Sequence, residues 1–383
     1  MVKSFVIRTD RRARAEKGFT LIELLVGSAV MLIAILATLE LYSRSNKVAV
    51  DQQQYAEIQH DVRTSMYLIS RDLRMAGIGL PQEFAMYSLE GWDNEDQDTG
   101  VTTPDRLRIM GNIEDPLNLK IQSLSGSSVT ISFEDFSFEQ NPYLDAYYDN
   151  KFILILPNPA SGCLAAEVRF VSSVTHNAPG TNEKFVFSPG QASGVNPPGG
   201  LSGMCADESN YVGGSATFID VIEYWLDLTG NGADFGLNAG VNGYIGVAGV
   251  LYMTRNEVIN DQWEKVHNAL AQNIENLQFE YNGDLLPLPS GDGTMDGFVP
   301  WNNTWTLADV NNIRQIRIWV LGRTPNRVLN VSGRPTGGIH IYRRPAVSNT
   351  DAMTADDRRK RFLMNSTANV RNLSLNIYNE GVR

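Results

Sequence analysis

The chain has 383 residues, 43% apolar and 20% charged, which is enough for one large folded domain or two ordinary ones. Its net charge of −11 at pH 7 argues against a general nucleic-acid binder, which carries a basic face. The charge is uneven: residues 1–18 hold six basic side chains (Lys3, Arg8, Arg11, Arg12, Arg14, Lys17) against two acidic ones (Asp10, Glu16), a net of +4, and the remainder alone would carry −15. A basic block at an N-terminus reads first as a targeting signal.

An apolar run follows, from Phe19 to Leu41, charged only at Glu23 and Glu40. It approaches the roughly 20 residues that a helix needs to cross a bilayer. Basic residues flank it on the N-terminal side, so that side should stay cytoplasmic and the bulk of the chain should be exported. The candidate cleavage site, Gly18, precedes the apolar run instead of following it as in an ordinary secretory signal. Cleavage there would remove residues 1–18 and keep the hydrophobic helix. Glu23 is the informative residue, because a carboxylate near the end of a membrane span is costly unless it is paired or faces protein. A new amine on Phe19, four residues ahead, could neutralise it between neighbouring subunits. The plainer alternative is a signal anchor whose Glu23 reaches the interface.

The string Lys17-Gly18-Phe19-Thr20-Leu21-Ile22-Glu23, followed by an apolar run, resembles the type IV prepilin family. That resemblance implies cleavage between Gly18 and Phe19 by a membrane aspartyl prepilin peptidase, N-methylation of Phe19 by the same enzyme, and a role for Glu23 in docking the subunit into a helical filament. Pilins, secretion pseudopilins and competence pseudopilins share the motif.

Residues 42–76 contain no proline, and Val48, Tyr55, Ile58, Val62, Met66, Ile69 and Leu73 recur at spacings of 7, 3, 4, 4, 3 and 4, one face of a helix. A continuous helix from Phe19 to Ala76 would be about 87 Å long. Gly77, with Gly79 and Pro81 behind it, supplies the stop. The expectation is a segment at 19–41 in lipid or a filament core and an amphipathic segment at 42–79 packed on a head. A free coiled coil is the alternative.

From residue 80 to 383 the texture changes to short β-branched and aromatic runs between Gly, Pro, Asn and Asp. Strands are expected at 105–110, 117–122, 128–134, 151–156, 166–174, 184–188, 217–227, 245–253, 274–281, 313–322, 338–343 and 370–378. Such spacing indicates an antiparallel α+β or all-β head; with the long N-terminal helix, hydrophobic and then amphipathic, the expected fold class is α+β with a large antiparallel β-rich head, type IV pilin-like as the prepilin resemblance implies. A subdomain split near 210 is compatible with the pattern. The stretches 189–215 and 282–304 read as loops. In an exported head the two cysteines, Cys163 and Cys205, would form one disulfide, worth about 2–4 kcal/mol.

Ordered segments of the head resemble the PilW family of large minor pilins: Ile222-Glu223-Tyr224-Trp225-Leu226-Asp227, Leu251 to Arg255, Ala271 to Tyr281 (read as a helical turn into a strand), Ile313 to Thr324, and Arg358-Arg359 through Val370-Arg371-Asn372-Leu373. No such likeness covers 85–215. The resemblance implies a minor pilin that primes type IV pilus assembly and sits at the pilus tip. Its implied partners are the prepilin peptidase, other minor pilins, the major pilin, the inner-membrane assembly platform and a tip adhesin. The implied location is a single-pass inner-membrane state with a periplasmic or extracellular head, then the pilus. A type II secretion pseudopilin of the J type, or a tip adhesin or calcium-dependent binding module, are the other readings.

Candidate chemistry is sparse. Asp227, Thr229, Asn231 and Asp234 place oxygen atoms on a glycine-rich turn that could hold Ca²⁺, the one cofactor considered and not a required one. The plainer reading is a hairpin turn that satisfies its own backbone. Asp292 and Asp296 form a weaker candidate. His60, His176, His267 and His340 show no metal spacing, and no nucleophile elbow or phosphate-binding loop is present, so no enzyme is expected. The basic run Arg358–Arg361 reads as a solvated edge rather than a nucleic-acid contact.

Overall fold

The computed structural model describes residues 18–80, 88–93, 104–113, 118–125, 130–134, 147–149, 151–163, 167–175, 184–188, 208–228, 249–259, 262–285, 295–325, 344–350 and 359–370. The chain divides into two compact units, residues 1–53 with 329–335 and residues 54–328 with 336–383. The helix α1 (Leu21–Met75) runs from the first into the second.

In the first unit α1 is exposed from Leu21 to Val50. Ala, Leu, Ile and Met dominate this stretch, and they are good or tolerable helix formers with no proline among them. An 18-residue window here is long and apolar enough to cross a membrane.

In the second unit the remaining turns of α1 bury Ile58, Val62, Met66, Ile69 and Leu73, five of the seven residues on the face that the spacing predicts. Each such burial stabilises the fold by about 1.5–3 kcal/mol. The burial begins later than residue 42, since Val48 is still 47% exposed. The helix closes at Met75, and Gly77 and Gly79 both take φ +73°, a left-handed conformation that glycine adopts without a Cβ clash. The chain then turns onto the sheet: Gly77 N donates to Met110 O (2.9 Å) and Asn112 N donates to Ile78 O (2.8 Å).

The head is one antiparallel sheet of thirteen strands among the described residues: β1 (Leu89–Trp92), β2 (Arg106–Gly111), β3 (Asn118–Ser125), β4 (Thr130–Phe133), β5 (Phe152–Leu156), β6 (Glu167–Phe170), β7 (Ser173–Thr175), β8 (Lys184–Val186), β9 (Ser215–Asp227), β10 (Gly249–Ile259), β11 (Gln262–Gly283), β12 (Ile313–Arg323) and β13 (Arg361–Asn369). A short helix α2 (Leu307–Asn311) precedes β12. The strand β9 is the spine. Its C-terminal half pairs with β10 on one side and β2 on the other, and its N-terminal half pairs with β5 and β3. Beyond β10 the order runs β11, β12, β13.

Two cores follow from this spine. The larger lies between α1 and the face of β1, β2, β9, β10, β11, β12 and β13 that carries Leu107, Tyr224, Leu251, Phe279, Ile318 and Ala368. Helix and sheet approach closely at Gly322, where an added Cβ would lie 2.6 Å from Ile58 Cγ2 and 2.9 Å from Val62 Cγ2. The second core is aromatic. Tyr148 stacks on Phe218 (centroids 5.1 Å apart), and Phe185 meets Phe218 edge-on and leans on Phe133.

Several expected strands are extended or moved. The strand expected at 245–253 continues to Ile259, and the one expected at 274–281 begins at Gln262, so the two form a long hairpin. The helical turn expected within Ala271–Tyr281 is replaced by a bulged strand, with register shifts at Leu251/Tyr252 and Ile274/Asn276 and Asn273 at φ +59°. The strands β1 and β13 lie where the pattern predicts none. The strand β13 ends at Asn369, and residues 371–378 of the strand expected at 370–378 lie outside the described residues, as does the strand expected at 338–343. The loop expected at 282–304 includes a bridge between Tyr281 and Val299.

Candidate functional site

The site the sequence points to most directly is the start of α1. Gly18, Phe19 and Thr20 precede the helix, and Phe19 is 82% exposed. Thr20 and Glu23 close a reciprocal cap. Thr20 N and Thr20 Oγ1 both donate to Glu23 Oε2 (3.0 and 2.9 Å), and Glu23 N donates to Thr20 Oγ1 (3.3 Å). This is a capping box, Thr-x-x-Glu, which satisfies donors that the helix end leaves open. Docking between subunits and an approach to the membrane interface are the roles that the apolar run suggests for Glu23. The Thr20-to-Glu23 spacing is equally readable and adds a local one: the carboxylate is held at the helix entrance by its own chain.

From this cap the exposed face runs through Leu24, Leu25, Met31, Ile33, Leu36 and Leu39, each at least 58% exposed. No other described residue buries these side chains, and water would disfavour such a surface at about 25 cal/mol per Å². The surface therefore calls for lipid or other helices around it. The ion pair Glu40–Arg44, one turn apart, closes the apolar stretch on its C-terminal side.

The other sequence candidates are described only in part. Asp227 ends β9 with its backbone paired to Val250 and is buried, whereas Thr229, Asn231 and Asp234 lie outside the described residues. Asp296 accepts from Leu285 N (2.8 Å) and donates its own N–H to Gly283 O (3.0 Å), which gives it a loop-closing role; Asp292 lies outside the described residues. Cys163 follows the 3-10 turn at Pro159–Ser161 and packs on the aromatic core, and Cys205 lies outside the described residues. His60 is exposed beside Asp61, and His267 shares a hydrogen bond (2.7 Å) with Thr254 Oγ1; His176 and His340 lie outside the described residues.

Sequence reasoning missed the polar links that hold the head. Tyr224 donates to Asp72 Oδ2 (2.6 Å), and Arg71 Nε donates to Asp72 Oδ1 (2.6 Å), a buried tie between α1 and β9. Burial first, and then the neighbouring Asp72 carboxylate, push the Tyr224 phenol far above its ordinary value, so it remains a donor. Arg108 bridges Glu223 and Glu90 across β9, β2 and β1. The basic run also departs from expectation. Arg361 is no solvated edge: its side chain is 5% exposed and grips Glu275 with Nε (2.6 Å) and Nη2 (3.0 Å). No sequence signal links Tyr224 to Asp72, Arg108 to Glu223 or Arg361 to Glu275, because these partners lie far apart along the chain.

Comparison with known proteins agrees with this anatomy. Residues 13–39 match the model of the prokaryotic N-terminal methylation motif. Residues 235–372, roughly a third of the chain, match the model of type IV pilus-assembly protein W. The chain is 32% identical over 62 residues to the pilin-like protein PilA3 of Thermus thermophilus, an overlap of 16% of this chain and 27% of that protein. The chain thus spans about a quarter of the length of the curated relative it matches. No solved structure matches. A methylation motif on an exposed apolar helix, an antiparallel head behind it and a PilW match within that head make the chain similar to type IV pilin-like proteins of the PilW family.

Proposed function

We propose that the protein is a minor pilin that primes type IV pilus assembly and occupies the pilus tip. The observation that carries this reading is the abrupt change along α1, from a bare apolar surface with a capped Glu23 at its head to a half buried against a large sheet. A subunit so built is anchored through one half of a helix and presents a head through the other. In this proposal a prepilin peptidase cuts between Gly18 and Phe19 and methylates Phe19. The subunit then waits as a single-pass inner-membrane protein with its head outside, and Glu23 exchanges its local cap for the Phe19 amine of a neighbour. Its partners are other minor pilins, the major pilin and the assembly platform. A disulfide between Cys163 and Cys205 is proposed for the exported head. The role is structural rather than catalytic.

The test is the amount of pili sheared from cells that lack the protein and from complemented cells. Loss of pili on deletion and their return on complementation is the expected result. Normal pili without the protein would overturn the priming role.

A further inference from the structure

At one end of the sheet, β11, β12 and β13 bring arginines together around a single carboxylate. Ile274 pairs with Gly322, and Arg323 pairs with Arg361, so Glu275, Arg323 and Arg361 lie at adjacent positions on three strands. Arg361 donates Nε to Glu275 Oε2 (2.6 Å) and Nη2 to Oε1 (3.0 Å). Arg344 enters from the segment before the turn bridged by Val347 and Thr350. It is only 4% exposed, and its Nε has no hydrogen-bond partner among the described residues. Burial lowers its tendency to hold a proton, Glu275 raises it, and the like charge of Arg361 lowers it again. A guanidinium nonetheless stays charged in proteins. Taking a charge out of water is costly unless it is well paired, and the single carboxylate of Glu275 serves two guanidiniums, Arg361 and Arg344. Arg344 and Arg361 therefore outweigh that carboxylate by one positive charge, and Arg344 Nε lacks an acceptor among the described residues.

We propose that Arg344, beside the Arg361–Glu275 pair, is an anion site that takes an oxyanion, a carboxylate or a phosphate group, on its guanidinium fork. Planar, two-pronged donation is what that fork offers to such a group. The site sits within the segment that matches the pilus-assembly family for its β11, β12 and β13 components, but the inference uses only the charges and their burial. It does not depend on the proposed priming role.

The experiment uses the purified full-length protein in detergent. Its thermal unfolding is followed against inorganic phosphate and, in a second arm, against succinate, each at ionic strength matched with chloride. Ligand that binds the folded state alone raises the midpoint with saturation. The expected result is a saturable rise of a few degrees, lost in Arg344→Met and weakened at least tenfold in apparent affinity in Arg344→Lys, which keeps the charge without the fork. A response to succinate alone identifies a carboxylate site, and a response to phosphate alone identifies a phosphate site. Far-UV circular dichroism checks that the variants fold; where Arg344→Met does not, Arg344→Lys decides. A wild-type protein that responds to neither anion, as when the chain's own carboxylates fill the site, overturns the proposal. So does an unchanged response in Arg344→Lys and Arg344→Met.

Discussion

The two halves of α1 share a backbone and little else. From Leu21 to Val50 every residue is exposed, and most of the large side chains are apolar; between Gln54 and Met75 one face is buried and the other carries Glu57, Asp61, Arg63, Arg71 and Arg74. Helix propensity does not distinguish the halves, since both are rich in good helix formers. What differs is where the apolar surface finds its partner. The second half finds it within the chain, against β9, β10, β11, β12 and β13. The first half finds none among the described residues. A helix apolar all round belongs in a membrane or in a bundle of its own kind, whereas a striped helix belongs on a folded domain.

That contrast can be broken from the buried side first. Leu73→Ala should destabilise the head by about 2–5 kcal/mol, since Leu73 is fully buried between α1 and the sheet. The matched change Leu36→Ala, on the exposed half, should leave the head's unfolding midpoint unchanged. Chemical denaturation of the full-length protein in detergent, read by tryptophan fluorescence, reports both. Equal effects would mean that the two halves are not energetically distinct.

A smaller effect is expected at the polar tie. Tyr224→Phe removes the donor to Asp72 and leaves that carboxylate to Arg71 alone. The expected loss is about 1–3 kcal/mol, the cost of leaving a buried acceptor short of one bond. The same denaturation measurement, with no loss found, would remove this link from the set that holds α1 to the sheet.

The smallest effect concerns pH. Burial raises the Asp93 carboxyl above its ordinary value, against hydrogen bonds from Asn349 and Asp105 that lower it. A carboxyl raised in the folded state binds its proton more tightly there than in the unfolded chain. Stability therefore falls as pH rises from the ordinary carboxylate range through the raised value. Asp93→Asn should remove that fall, so that its midpoint gains on the wild type between acid and neutral pH. Parallel curves for the two proteins would show that Asp93 carries no such linkage.

Much of this architecture is legible in the sequence because its causes are local. The 3.6-residue spacing of Ile58, Val62, Met66, Ile69 and Leu73 announces the buried face of α1, and Gly77 announces its end because a left-handed φ favours glycine. The alternation in Ile313–Arg323 likewise announces β12. The hairpin of β10 and β11 is less legible. Lys, Asn, Glu and Gln crowd residues 254–276, and there cross-strand pairing overrides weak strand propensity. The strand β13 hides for the same reason: its sequence, Arg361 to Asn369, is largely polar, and it is fixed by nine paired positions along β12. At the candidate site, Glu23 stands out as a charge in an apolar run. Its cap partner Thr20 is readable from the Thr-x-x-Glu spacing. Glu275 and Arg361 are 86 positions apart, and only the assembled sheet brings them together.

Filament entry through Glu23 is the central claim, and one comparison tests it directly: the abundance of Glu23→Ala subunits in sheared pili relative to their abundance in the membrane. The expected result is normal membrane levels, normal removal of the leader, and absence from the pili. Normal incorporation of the variant would contradict the claim and reduce Glu23 to the helix cap that it forms with Thr20.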